Sequence, residues 1–150
     1  MSAIEVLLAE DNHGDIHLIE QTVEERGLPA NLYSVQTGQA ALDWLYRRGE
    51  FTETPRPEFV LLDLNLPGVG GQTVLKEIKS DSGLKRIPVV VLTGSESETD
   101  VNEVYDAGAN ACLRKPVDPT EFADRIQAVV EFWQSAAVLP SVSPDGGTGP

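Results

Sequence analysis

The stretch Phe59-Val60-Leu61-Leu62-Asp63-Leu64-Asn65-Leu66-Pro67-Gly68 decides how the rest of the chain is read. Its first four residues are apolar without a polar alternate, the pattern of a strand covered on both faces in the middle of a parallel sheet. The run stops at an acid, Asp63, and Gly68, Gly70 and Gly71 then supply a turn into a helical pattern. An acid at the carboxyl end of a central strand stands where open α/β sheets gather their function.

Working outward, the same alternation repeats on both sides. Ile4–Ala9 reads as a first strand and residues 31–35 as a weaker second one; Ile87–Thr93 is a fourth, with Pro88 at its entrance, and residues 109–113 are a short fifth. Helices are expected between them. The first carries Ile16, Ile19 and Val23 on one face and ends near Gly27; the second covers about residues 39–48, with Ala41, Leu42 and Leu45 inward. The third buries Val74, Leu75 and Ile78. The fourth opens with Ser97 and Asp100 at capping-box spacing and buries Val101, Val104 and Tyr105. The fifth starts on Asp118-Pro119, with Phe122, Ile126, Val129 and Trp133 as its stripe. Strict β/α alternation implies a parallel sheet with helices on both faces. Residues 1–134 read as one domain and residues 135–150, rich in Pro, Gly and Ser, as a disordered tail.

Composition narrows the function classes. Twenty-four acids against 11 bases give a formal charge of −13, which repels nucleic acid and anionic membranes. Only four of the bases are lysines, a balance that also suits a salt-rich cytoplasm and a halophilic source. No apolar run is long enough to span a bilayer and the start lacks a signal-type segment, so the expected location is cytoplasmic. Cys112 is alone, which excludes an internal disulfide and a cysteine zinc site. His13 and His17 have the i,i+4 spacing of a helical metal pair but no third ligand, and read as polar residues at a helix start.

The chemistry emerges from what ends each strand. The first runs into Glu10-Asp11-Asn12, the third into Asp63, the fourth into Thr93-Gly94 and the fifth into Lys115-Pro116. Each alone is unremarkable, since polar residues belong at strand ends. Together they bring three carboxylates, a hydroxyl and an ammonium from four strands to one edge of the sheet. Gly68, Gly70 and Gly71 do not form a phosphate-cradling loop after the first strand, and Trp44, Phe132 and Trp133 read as packing residues.

This constellation resembles the receiver domain of two-component response regulators, over residues 3 to about 133. The resemblance implies a flavodoxin-like, doubly wound five-stranded parallel sheet of order 2-1-3-4-5 with five helices. It implies a phosphoryl group taken onto Asp63 from a sensor histidine kinase, and a signal passed on by protein docking or phosphorelay. Asp11 and Asp63 would hold Mg²⁺ or Mn²⁺ directly, Glu10 through water, and Asn65 through its backbone carbonyl. Oxygen-only ligands suit those hard cations, and two unit charges ~4 Å apart repel by roughly 4 kcal/mol at an effective dielectric of 20. Lys115 would pair with Asp63 and meet the incoming phosphate, Thr93 would bind a phosphate oxygen, and the Lys115–Pro116 peptide would be cis. Such a protein is a substrate with catalytic side chains rather than a turnover enzyme.

Two positions depart from the commoner receiver pattern. Cys112 stands where many receivers carry a switching aromatic ring, and reads as a small buried residue. Gly94 leaves the phosphate open to water or a partner. The long segment 49–57, together with Tyr105-Asp106-Ala107-Gly108-Ala109-Asn110, resembles the regulators of phytochrome-type kinases. That likeness implies dimer formation through the fourth helix, fifth strand and fifth helix. Three rivals stay open: an aspartyl-nucleophile phosphatase, a flavodoxin-type cofactor module, and a receiver fold that docks without phosphorylation.

Overall fold

A computed structural model describes residues 3–140. Five strands alternate with five helices: β1 (Ile4–Ala9), α1 (His13–Glu25), β2 (Ala30–Val35), α2 (Gly38–Tyr46), β3 (Phe59–Asp63), α3 (Gly71–Ser80), β4 (Val89–Thr93), α4 (Glu98–Asp106), β5 (Ala111–Arg114) and α5 (Pro119–Glu131). All neighbouring strands pair parallel in the order β2-β1-β3-β4-β5. This is the doubly wound flavodoxin-like arrangement expected, with the order reversing between β1 and β3.

Side-chain parity along the strands builds two cores. Leu7, Ala9, Val60, Leu62, Val89 and Val91 face α2, α3 and α4, against Leu42, Leu45, Leu75, Ile78 and Val104. Val6, Leu8, Phe59, Leu61, Val90 and Leu92 face α1 and α5, against Ile19, Phe122, Ile126 and Val130. Every residue of β3 and β4 is buried. Their unbroken apolar runs follow from helices on both faces.

Several helix faces differ from expectation. In α1, Thr22 is buried rather than Val23; its hydroxyl donates to the Leu18 carbonyl at 2.7 Å, so it enters the core with its polar group satisfied. On α5 Val130 is buried and Val129 only partly so, because burial follows the i,i+4 row through Phe122 and Ile126. In α4 only Val104 is buried, and Tyr105 is 48 % exposed. This helix covers the sheet margin, and the Tyr105 hydroxyl accepts a hydrogen bond from the Cys112 N–H on the edge strand at 3.1 Å. Cys112 is half-buried rather than buried. The fifth strand starts later than expected, at Ala111, since the Ala109 N–H still closes the end of α4 onto the Val104 carbonyl.

The long segment before β3 is pinned at its middle. Phe51 packs on Trp44, which packs on Tyr33, each pair 5.3 Å apart between ring centroids, and Trp44 Nε1 donates to the Pro55 carbonyl. After α5 the chain makes a wider turn over Phe132–Ala136, and Leu139 packs on the α1/α5 core. The expected tail boundary at residue 135 falls within this turn, and residues 141–150 of that tail lie outside the described residues. No described helix is long and apolar enough to cross a membrane.

Candidate functional site

β1 and β3 lie side by side at the point where strand order reverses, so their carboxyl ends open into one crevice. β1 delivers Glu10, whose N–H bonds the Val35 carbonyl at 3.0 Å and extends the ladder by one residue. β3 delivers Asp63, 3 % exposed, and Glu10 is wholly buried. Asp11 faces solvent. The carboxylates of Glu10, Asp11 and Asp63 each place an oxygen within 4.8 Å of the other two.

From the far strands come the hydroxyl and the ammonium. Thr93 ends β4, is 1 % exposed, and its Oγ1 accepts from the Ser95 N–H at 3.0 Å. The Lys115 N–H bonds the Thr93 carbonyl at 2.8 Å, which carries the β4–β5 ladder one step past Arg114. Lys115 Nζ donates to Glu10 Oε1 at 2.6 Å and stands 3.5 Å from Asp63 Oδ1. Asn65, on the loop after β3, gives its N–H to Asp63 Oδ1 at 3.3 Å. It also lines a cleft of about 340 Å³ with Leu64, Gly70, Thr93, Ser95 and Asp100.

Two glycines let the loops close in. A Cβ on Gly71 would collide with the Asp63 carbonyl oxygen, so α3 starts directly against the acid-bearing loop only because this residue has no side chain. Gly68 has φ +70°, in the left-handed region.

The electrostatics follow from crowding. Burial, reinforced by contact with Asp63 and opposed by Lys115, raises the Glu10 pKa from 4.5 to about 7. Burial works against the Lys115 charge, but Glu10, Asp15 and Asp63 outweigh it and its pKa is raised. The cluster thus carries more negative charge than one ammonium balances. Its donors are all oxygens, the chemistry a hard divalent cation requires, so the residues present fit Mg²⁺ or Mn²⁺.

The structure brings Glu10, Asp11, Asp63, Asn65, Thr93 and Lys115 to one crevice. Two features depart from expectation. No cis peptide occurs among the described residues, so Lys115–Pro116 is trans, the isomer favoured for X–Pro by roughly 0.5–1 kcal/mol. And sequence reasoning missed Asp15, whose Oδ2 accepts from Lys115 Nζ at 3.0 Å. The signal was its place three residues after the N-cap Asn12, which puts it on the first turn of α1 beside Glu10-Asp11.

Comparison with known proteins agrees with this geometry. A model described as the response regulator receiver domain matches residues 6–127. Response regulator Rcp1 of Synechocystis sp. is 38 % identical over 136 residues, spanning 91 % of this chain and 92 % of that protein. The phosphorylated cyanobacterial phytochrome response regulator RcpA superposes with a TM-score of 0.88 at 40 % identity, over 93 % of this chain and all of that one. The Mn(2+)-bound form of Rcp1 superposes at 0.86 with 38 % identity, over 92 % of this chain and 99 % of that one. With the sheet order, the strand-end residues and a family match over most of its length all in agreement, this chain belongs to the response regulator receiver domain family.

Proposed function

We propose that Asp63 is the phosphoacceptor of this receiver and that a sensor histidine kinase, of phytochrome type as the names of the similar regulators suggest, is its donor. The observation that carries the reading is the convergence on Asp63, at the end of β3, of a buried and a solvent-facing carboxylate from the end of β1 and an ammonium from the end of β5. In the transfer, an Asp63 oxygen forms a bond to phosphorus while the P–N bond to the donor imidazole breaks, and the leaving nitrogen takes up a proton. Little covalent assistance is needed; positioning and charge neutralisation do most of the catalysis. Asp11, Asp63, Glu10 and the Asn65 carbonyl would hold Mg²⁺ or Mn²⁺, which when bound offsets charge on the transferring group. Lys115 supplies a second positive charge and Thr93 a hydroxyl for a phosphoryl oxygen.

The outward signal is proposed to leave through α4, β5 and α5. Tyr105 and Val117 are exposed there, and Val117 lines a groove with Cys112, Arg114, Glu121 and Arg125 that suits a second copy of the chain. The phosphoacceptor assignment is tested by borohydride reduction after incubation with acetyl phosphate and Mg²⁺, which converts an aspartyl phosphate to homoserine. Peptide mapping should find homoserine at position 63; homoserine at position 11 alone would reassign the acceptor.

A further inference from the structure

We propose that Asp15 is a positioning residue that fixes where the Lys115 ammonium stands and keeps it from closing onto Asp63. The proposal rests on the phosphoacceptor reading of Asp63. Asp15 belongs to none of the strand ends that build the crevice. It sits on the first turn of α1, where its N–H is taken by Asn12 Oδ1 at 2.9 Å, and its side chain reaches Lys115 across 100 residues of sequence. An acid at this place needs no partner to be favourable, since it already complements the positive end of the helix. That it instead points at Lys115 is what demands an account.

The ammonium has three protons. Glu10 takes one at 2.6 Å and Asp15 takes another at 3.0 Å. Asp63 Oδ1, at 3.5 Å, lies beyond ordinary N–H···O range, so the third proton is not committed to the phosphoacceptor. The side chains of Lys115 and Asp15 are 16 % and 26 % exposed, so solvent screens this pair less than a surface bridge. With Asp15 present, Nζ is divided between Glu10 and Asp15. The Asp63 oxygens then remain available to a cation and a phosphodonor, and one ammonium proton remains for the phosphoryl oxygen. Without Asp15, Nζ takes Asp63 as its second partner and competes for the atom on which the phosphoryl group must arrive.

The test is a double-mutant cycle of Asp15→Ala and Lys115→Ala in the full chain, with two readouts: the Mn²⁺ dissociation constant by electron paramagnetic resonance, and the rate of labelling by acetyl phosphate. Asp15→Ala alone is expected to weaken Mn²⁺ and slow labelling by about tenfold each, the scale of one lost charge-assisted hydrogen bond. In the Lys115→Ala background the same substitution should change Mn²⁺ binding less than twofold, and Asp15→Glu should restore most of the wild-type value. An equal loss in both backgrounds would show that Asp15 acts only through its charge or its helix, and would overturn the proposal, as would no loss in either. Asp15→Leu, which has a similar shape but no acceptor, replaces the alanine variant if that variant does not fold. A wild-type protein that takes no phosphoryl group would sink the phosphoacceptor reading while the Mn²⁺ cycle still decides the role of Asp15.

Discussion

Lys115 Nζ is 2.6 Å from Glu10 Oε1, the shortest of its three carboxylate contacts and a link across 105 residues of sequence. Among the described residues, the one ammonium at the crevice is thus committed first to a buried acid that has no other cation in an ion pair with it. Lys115→Ala is expected to slow labelling by acetyl phosphate by roughly 10²-fold, the scale seen when a preorganised electrostatic partner is removed. Without metal the variant should also lose about 3 kcal/mol in urea unfolding, because Glu10 and Asp63 are left buried without their counter-charge. Millimolar Mg²⁺ should return part of that stability. A labelling rate equal to wild type would remove Lys115 from the chemistry.

Gly71 holds α3 against the loop that carries Asp63. Gly71→Ala would set a methyl group into the Asp63 carbonyl, and the strain is expected to cost about 1–3 kcal/mol. Because that shift moves the loop that carries Asp63, labelling should slow as well. Urea unfolding together with a labelling time course separates the two effects; an unchanged midpoint would mean the loop yields freely.

Lys79 tests the electrostatics away from the crevice. Its Nζ donates to the Lys85 and Ile87 carbonyls and to Asn110 Oδ1, all neutral, and burial lowers its pKa from 10.5 to about 8. Between those two values the unfolded chain binds this proton more readily than the folded one. Stability from this site therefore rises with pH from about 8 to about 10.5, and the full cost of the buried charge is present below pH 8. The stability difference between wild type and Lys79→Met should shift in favour of wild type across that window. The three lost hydrogen bonds in the variant change the offset, not the slope, so a flat difference would count against the account.

The exposed Val117 at the start of the α5 approach offers a fourth check. Val117→Asp is expected to weaken self-association at least tenfold in sedimentation equilibrium, while leaving phosphoryl labelling within twofold of wild type. A wild-type chain that stays monomeric at hundreds of micromolar would remove the second copy as occupant of that groove.

The legible parts of this protein were those set by local pattern. Phe59–Asp63 is a strand with the bounds its apolar run suggested, and Val74, Leu75 and Ile78 are the buried face of α3, because strand and helix periods are written in consecutive residues. Glu10, Asp63, Thr93 and Lys115 could be collected because a parallel sheet aligns its strand ends. What escaped depends on distant contacts. Tyr105 has the spacing of a core residue but lies over the sheet margin, where an edge N–H needed an acceptor. Asp15 reads as an ordinary acid at a helix start until the fold carries Lys115 to it. The exchange of Val129 for Val130 on α5 depends on a rotation of less than one residue, which a stripe of apolar side chains on a helix does not specify.

That Asp63 takes a phosphoryl group with help from a divalent cation is the proposal on which the others rest. It is tested most directly by the intact mass of wild type and Asp63→Asn after incubation with acetyl phosphate, with Mg²⁺ and with excess chelator. Wild type should gain the mass of one phosphoryl group only with Mg²⁺, and the variant should gain none. Equal modification of both proteins, or of neither, would contradict the account.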